Sequence, residues 1–212
     1  MRCRTRRTAA AVFLIFTVTA FAGAQTRPDA LQLYRRGDFA RAVSVCLQEL
    51  EEWGPDKVRQ RMDSYTVLGW SYLRLGEYEK ALNSARQART EVRYDERLIE
   101  IEAESLFYLG RNTDSLALLE EYVNVSPTGD RIDLVYYFMG EIFLRLAEYR
   151  HADIAFSTAL HHSPQVAAWW SRLGYSRERL ENLTGAEAAY ETALELQPSL
   201  EDARAGLERV RG

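Results

Sequence analysis

Two cysteines stand in 212 residues, and one of them, Cys3, belongs to an N-terminal leader. With the leader removed Cys46 has no partner, so an internal disulfide framework is excluded. The expected state is a small buried thiol inside a helix, with an intermolecular disulfide as the alternative. Histidine is nearly as scarce: His151 opens one expected helix, and His161 and His162 close it. Adjacent helical side chains point about 100° apart, which suits chelation of one ion poorly, and a helix C-terminus favours imidazole without any metal. Paired-cysteine zinc spacing and a glycine-rich phosphate loop are both missing. Gly174-Tyr175-Ser176-Arg177-Glu178 begins like a nucleophile elbow but lacks the closing glycine and lies in a helical pattern. The chain is therefore expected to be no enzyme, with no catalytic residues, no cofactor and no metal. It lacks a dense Lys/Arg stripe, which argues against nucleic acid as a partner and against anionic lipid heads. Beyond the N-terminus no stretch stays uncharged for the ~20 residues that a bilayer span requires.

The N-terminus is the exception. Arg2, Arg4, Arg6 and Arg7 precede an apolar run from Ala9 to Phe21, and Ala22-Gly23-Ala24 supplies small residues where a signal peptidase reads. Residues 1–24 are expected to be a cleavable signal peptide and residues 25–212 the folded domain, beginning at Gln25. Export to the periplasm or the exterior follows; an uncleaved membrane anchor is the alternative, and only then would a membrane be a partner. Cleavage lowers Lys plus Arg from 27 to 23 against 31 acidic residues, giving a charge of −8.

What the chain has in abundance is one pattern, repeated. From Met62 it runs Tyr65, Leu68, Gly69, Tyr72, Gly76, Tyr78, Ala81, Ala85 and Ala88. From Asp133 the same offsets give Tyr136, Gly140, Phe143, Ala147, Tyr149, Ala152, Phe156, Ala159 and Pro164. From Ala167 they give Trp170, Gly174, Leu183, Ala186, Tyr190, Ala193 and Pro198, and a weaker copy starts at Glu96. Glycine inside a helix costs roughly 1 kcal/mol relative to alanine, so Gly69, Gly140 and Gly174 imply close helix crossings. Alanines opposite them and large aromatics around them fit that reading. Turns fall at Gly37-Asp38, Gly76-Glu77, Gly110-Arg111, Ala147-Glu148 and Glu181-Asn182, at intervals of 39, 34, 37 and 34 residues.

A period near 34 with these residues at these places resembles the tetratricopeptide repeat (TPR) family, in its exported bacterial type. The resemblance implies an all-α solenoid of antiparallel helix pairs: four full repeats, a truncated first unit and a C-terminal capping helix. The units are placed at about 28–54, 56–92, 96–128, 130–164 and 166–198, with the cap at 199–211. Ser199-Leu200-Glu201-Asp202 reads as its capping box, and Leu200, Ala203, Leu207 and Val210 as its buried face. Three departures stand out: Glu102 replaces a usual leucine, Arg177 a usual aromatic, and Glu181 the turn glycine. The first predicts that the third repeat is the least regular; the last predicts that its helix runs on by a turn.

In the family the first helices line a concave face, whose contact positions fall here on Asp63, Thr66, Trp70 and Leu73, then Arg97, Glu100, Glu104 and Phe107. The next sets are Leu134, Tyr137, Glu141 and Leu144, and Ala168, Ser171, Tyr175 and Glu178. The lysine and asparagine pattern with which some members clamp a terminal carboxylate is absent. The resemblance thus implies a non-enzymatic scaffold or adaptor. Its groove is expected over Trp70, Arg97, Glu104, Phe107, Tyr137, Glu141, Leu144, Tyr175 and Glu178. An aromatic and acidic groove suits a protein or peptide segment of apolar and basic character. The alternative is a helical carrier of a small apolar ligand or lipid in an envelope transport system; self-association through the end repeats is a third class.

Overall fold

The computed structural model describes residues 29–212. The expected signal peptide, Cys3 and the start at Gln25 lie outside the described residues. Within them the chain forms eleven helices and no strand. They pair as α1 (Ala30–Arg35) with α2 (Phe39–Glu52), α3 (Val58–Arg74) with α4 (Tyr78–Glu91), and α5 (Glu96–Tyr108) with α6 (Asn112–Val125). Next come α7 (Ile132–Arg145) with α8 (Tyr149–His162), and α9 (Ala167–Arg179) with α10 (Leu183–Leu196), before the single α11 (Glu201–Arg211). This is the all-α solenoid read from the sequence. No helix among the described residues is long and apolar enough to cross a membrane.

Each pair turns on the same hydrogen-bond device. At the end of α3 the Glu77 N–H donates to the Tyr72 carbonyl at 2.9 Å and the Gly76 N–H to Leu73 at 3.1 Å, a Schellman closure with a left-handed residue between. Gly37, Gly76 and Gly110 take that conformation at φ of 81°, 74° and 75°. Ala147 and Glu181 take it without being glycine, at 59° and 60°. The expected extra turn at Glu181 is therefore absent. Its helix stops at Arg179, because the Asn182 N–H reaches Arg177 and the Glu181 N–H reaches Glu178, both at 3.0 Å, closing the chain as at Gly76.

The helix crossings have a specific stopper. A Cβ on Gly140 would stand 2.7 Å from the Phe156 ring, and one on Gly174 2.8 Å from Tyr190; both rings are fully buried on the second helix of the same unit. In the second unit that second-helix place holds the small Ala85, and Ile101 of the next unit fills the space against Gly69. Tyr190 is covered on its other side by Gly206 of α11, which shuts the stack together with Ala203, Leu200, Leu207 and Val210.

Two further expectations need correction. The third repeat is regular, with unbroken α5 and α6, because buried Glu102 receives Arg86 at 2.8 Å and Arg89 at 2.6 Å from α4, while Arg89 also reaches Glu121 of α6 at 2.7 Å. Ser199 does not cap α11. Its N-cap is Leu200, without a side-chain hydrogen bond, and the Arg204 side chain instead ties the Pro198 carbonyl to Glu201. Arg177 takes the aromatic's place by pairing with Asp153 of α8 at 2.8 Å. Cys46 is fully buried on α2, and burial pushes its thiol up to about 12, so it is an inert packing group.

Gly140→Leu should lose at least about 2 kcal/mol through overpacking, despite the ~1 kcal/mol that helix propensity returns. Ala147→Gly should gain up to about 1 kcal/mol by relieving the left-handed residue. Chemical denaturation measures both, and a Gly140→Leu protein as stable as the parent would mean that Phe156 does not close on that crossing.

Candidate partner-binding groove

First helices touch one another along the stack, α1 with α3, α3 with α5, α5 with α7 and α9 with α11, while each second helix packs against its own first helix and the next one. A stack built this way curves toward its first helices, which therefore line the inner face.

On that face the aromatic residues fall into separate groups. Trp70 is half-buried beside Tyr34 of α1, with ring centres 5.9 Å apart, and its indole N–H donates to Glu100 at 3.3 Å. Phe107 is only 6% exposed: Phe138 lies 4.9 Å away and the Arg145 guanidinium sits 3.7 Å above its centre. Tyr137 is half-buried, stacked on Trp169 of α9 at 5.1 Å. Burial and the Glu141 charge raise its phenol to about 12. Phe138 joins Tyr137 to Phe107, so α5, α7 and α9 share a chain of rings. Tyr175 stands half-buried outside that chain, and Leu144 is half-buried against the α8–α9 cluster. Among the described residues no ring contact links Trp70 to Phe107 or Tyr137 to Tyr175.

The charged residues are arranged more tightly than a solvated acidic groove. Arg131, at the N-cap of α7, clamps Glu100 at 2.6 and 3.2 Å. Arg172 of α9 clamps Glu141, with Nη2 at 2.6 Å, and Arg209 of α11 clamps Glu178 at 2.8 and 2.9 Å. The three spacings are identical, 31 residues. Arg172 and Arg209 each engage both oxygens of their glutamate, which fixes geometry as well as charge, whereas Arg131 sets both its donors on Glu100 Oε1. Arg97 is held by Asp95 at 2.7 Å and by Asp63 of α3 at 2.8 Å. Glu178 also accepts the Tyr190 hydroxyl at 2.7 Å. Glu141 and Glu178 are thus occupied by their own neighbours and not vacant for a basic partner. Sequence reasoning passed over these arginines, although a Glu and an Arg recurring 31 apart three times was a signal available in it.

Glu104 is the exception among the groove acids. Its nearest guanidinium, Arg131, is 3.9 Å away and committed to Glu100. Burial first, then the Glu100 charge beside it, raise its carboxyl to about 8.

At the N-terminal end the face opens into a cavity of about 620 Å³, whose walls include Leu31, Trp53, Asp63, Val67, Trp70 and Arg97. It lies beside α1, which has 6 residues among the described ones where α3 has 17. Among the described residues no group of three His, Cys, Asp or Glu is placed to hold a metal ion.

Comparison with known proteins fits this architecture. Tetratricopeptide repeat models match residues 138–201 and 63–88. Tetratricopeptide repeat protein 16 of Homo sapiens is 25% identical over 165 residues, covering 76% of this chain and 19% of its own length. The Macaca fascicularis protein of that name is 24% identical over 190, covering 88% and 21%. The chain thus spans about a fifth of these relatives. Among solved structures, MamA superposes with a TM-score of 0.67 at 17% identity, over 81% of this chain and 95% of that one. A thermophilic TPR protein of Thermus thermophilus gives 0.61 at 20%, over 86% and 95%. The APC/C hetero-tetramer Cut9–Hcn1 gives 0.75 at 15%, over 86% and 35%.

A carboxyl raised in the folded state favours folding below its ordinary pKa near 4.5, and the advantage disappears as pH rises through about 8. The parent protein should therefore lose melting temperature between pH 5 and pH 8.5 relative to Glu104→Gln. Parallel pH profiles for the two proteins would show that Glu104 carries no such proton.

Proposed function

We propose, on the premise that this chain is a tetratricopeptide repeat protein, that it is a scaffold holding a segment of another protein along its first-helix face. Members of the family are generally non-enzymatic scaffolds for protein–protein interaction, and the paired helices here form such a frame. The observation that carries the reading is the N-terminal opening: a cavity walled by Leu31, Trp53, Val67 and Trp70 beside a half-buried face already stiffened by its own ion pairs. A rigid face with apolar side chains and few unsatisfied charges binds by removing apolar area from water, with aromatic residues as anchors. Trp70 is the leading anchor, with Tyr137, Leu144 and Tyr175 further along. Phe107, Glu141 and Glu178 hold the face in shape. The Cut9–Hcn1 neighbour, by its name an assembly with a second chain, supports a partner-binding role.

Export belongs to the same proposal. The arginine front, the apolar run and Ala22-Gly23-Ala24 support a mature chain that begins at Gln25 in the periplasm or outside the cell. Terminal sequencing of natively produced protein checks this; an intact Met1 in the membrane fraction would replace it with an anchored form.

Truncating an interface aromatic anchor costs ~2 kcal/mol or more, so Trp70→Ala should weaken the co-purifying partner about 30-fold. Glu120→Ala, on the exposed side of α6, should leave affinity unchanged. Affinity measurements on variants that keep their circular dichroism spectrum decide the matter. Undiminished binding by a folded Trp70→Ala protein would move the site off this face.

A further inference from the structure

Two arginines of the first-helix face escape the acid pairing that closes the others. Arg131, Arg172 and Arg209 each hold a glutamate. Arg74 and Arg145, the last residues of α3 and α7, are exposed, and among the described residues neither pairs with an acid. Arg74 lies over the Phe39 ring, 5.6 Å from its centre. Arg145 lies 3.7 Å above Phe107, and its Nη1 donates to the Phe107 carbonyl at 3.0 Å and to Asn112 at 3.1 Å, which leaves Nε and Nη2 unengaged. A cation in the last turn suits the helix dipole, which explains the residue type. The ring beneath each guanidinium fixes where it stands.

Both arginines converge on Tyr108. This last residue of α5 is 46% exposed and stacked on Tyr78 of α4 at 4.7 Å. Burial raises its phenol, with Glu104 adding to the rise, and the charges of Arg74 and Arg145 both act against it. The two guanidiniums therefore flank one hydroxyl. Arg74 also stands one turn along α3 from Trp70, on the same helix face. Tyr34 joins the two places, its ring 5.9 Å from Trp70 and 5.4 Å from Phe39.

The surrounding carboxyls do not cancel these charges. Glu77 is held by Lys80 at 2.7 Å, Glu100 by Arg131 and Glu141 by Arg172. Burial and the Glu100 charge keep Glu104 protonated at neutral pH. A lysine set here would meet two like charges, and an apolar side chain would dehydrate both guanidiniums without replacing their water. A carboxylate can accept N–H groups from both. We propose that the segment held on this face places an aspartate or glutamate side chain over Tyr108, between Arg74 and Arg145, one helical turn from the residue that meets Trp70. The assignment rests on the scaffold reading and deepens it by giving the partner an acidic residue next to its apolar anchor.

The probe is the peptide acetyl-Leu-Gly-Glu-Glu-amide, blocked so that it has no terminal carboxylate, with Gln-Gln and Lys-Lys versions as separate arms. Titrations are followed by NMR at the arginine Nε–H and backbone amide signals. The glutamate peptide should shift Arg74, Tyr108 and Arg145 saturably, and the glutamine peptide should bind at least tenfold more weakly. Arg74→Glu should reverse the preference toward the lysine peptide, a gain that damage to the fold cannot produce. Arg145→Gln should weaken the glutamate peptide severalfold with an unchanged dichroism spectrum. Arg59→Gln, an equal loss of charge at the other end of α3, should leave it unchanged. Added salt should weaken the glutamate peptide, since exposed charges are screened. Equal binding of the three peptides, no saturable shift from the glutamate peptide, or an unaltered preference in Arg74→Glu would overturn the assignment. Should Trp70→Ala lose the natural partner while Arg74→Glu keeps it, the scaffold reading stands and the acidic contact falls. The reverse pattern keeps the acidic contact and displaces the anchor.

Discussion

The distance between the two helices of a unit governs the rest of this molecule, and a glycine facing a ring sets it. Phe156 and Tyr190 each lie where a Cβ on Gly140 or Gly174 would have to be. Interiors pack at crystal-like density, so such a contact admits one arrangement rather than a range. Tyr190 carries the constraint further: its ring is held between Gly174 and Gly206, its hydroxyl donates to Glu178, and Glu178 in turn receives Arg209 of the cap. Close approach, closure of the stack and the charge order of the inner face are thus linked at one residue.

Curvature follows from this packing, and charge pairing stiffens the curved face. Arg131, Arg172 and Arg209 each bridge to a glutamate 31 residues earlier, on the preceding first helix. Exposed ion pairs contribute little stability, but Glu100 and Glu141 are buried, and a buried carboxylate without its arginine would be strongly unfavourable. The pairs therefore act less as extra stability than as a fixed register between units. They also neutralise most of the acidic character of the inner face, which leaves aromatic area as its main chemistry.

The turns show how far local residues bind the chain. Gly37, Gly76 and Gly110 meet a left-handed conformation with the residue suited to it, while Ala147 and Glu181 adopt it under constraint. Missing glycine at Glu181 reads locally as a longer helix. Closure to the Arg177 and Glu178 carbonyls, with α10 packed back on α9, overrides that preference. Glu102 makes the same point within a helix. Alone it is a polar intruder in an apolar place; with Arg86 and Arg89 brought over from α4 it is a satisfied one.

Period, glycine and alanine places, and turn residues were enough to derive helix number, pairing and the cap from the chain alone, because each depends on spacing within one unit of about 34 residues. The buried faces of α11 and of the aromatic second-helix places were legible for the same reason. Which inner-face residues stay accessible was not. Phe107 disappears beneath Arg145, Tyr137 leans on Trp169, and Glu141 and Glu178 are taken by arginines one unit away. Those outcomes depend on how adjacent units dock, and a rotation of one helix by a single residue changes them without altering the repeat pattern. The sequence determined the scaffold; the docking of neighbouring helices decided which of its side chains remain open to a partner.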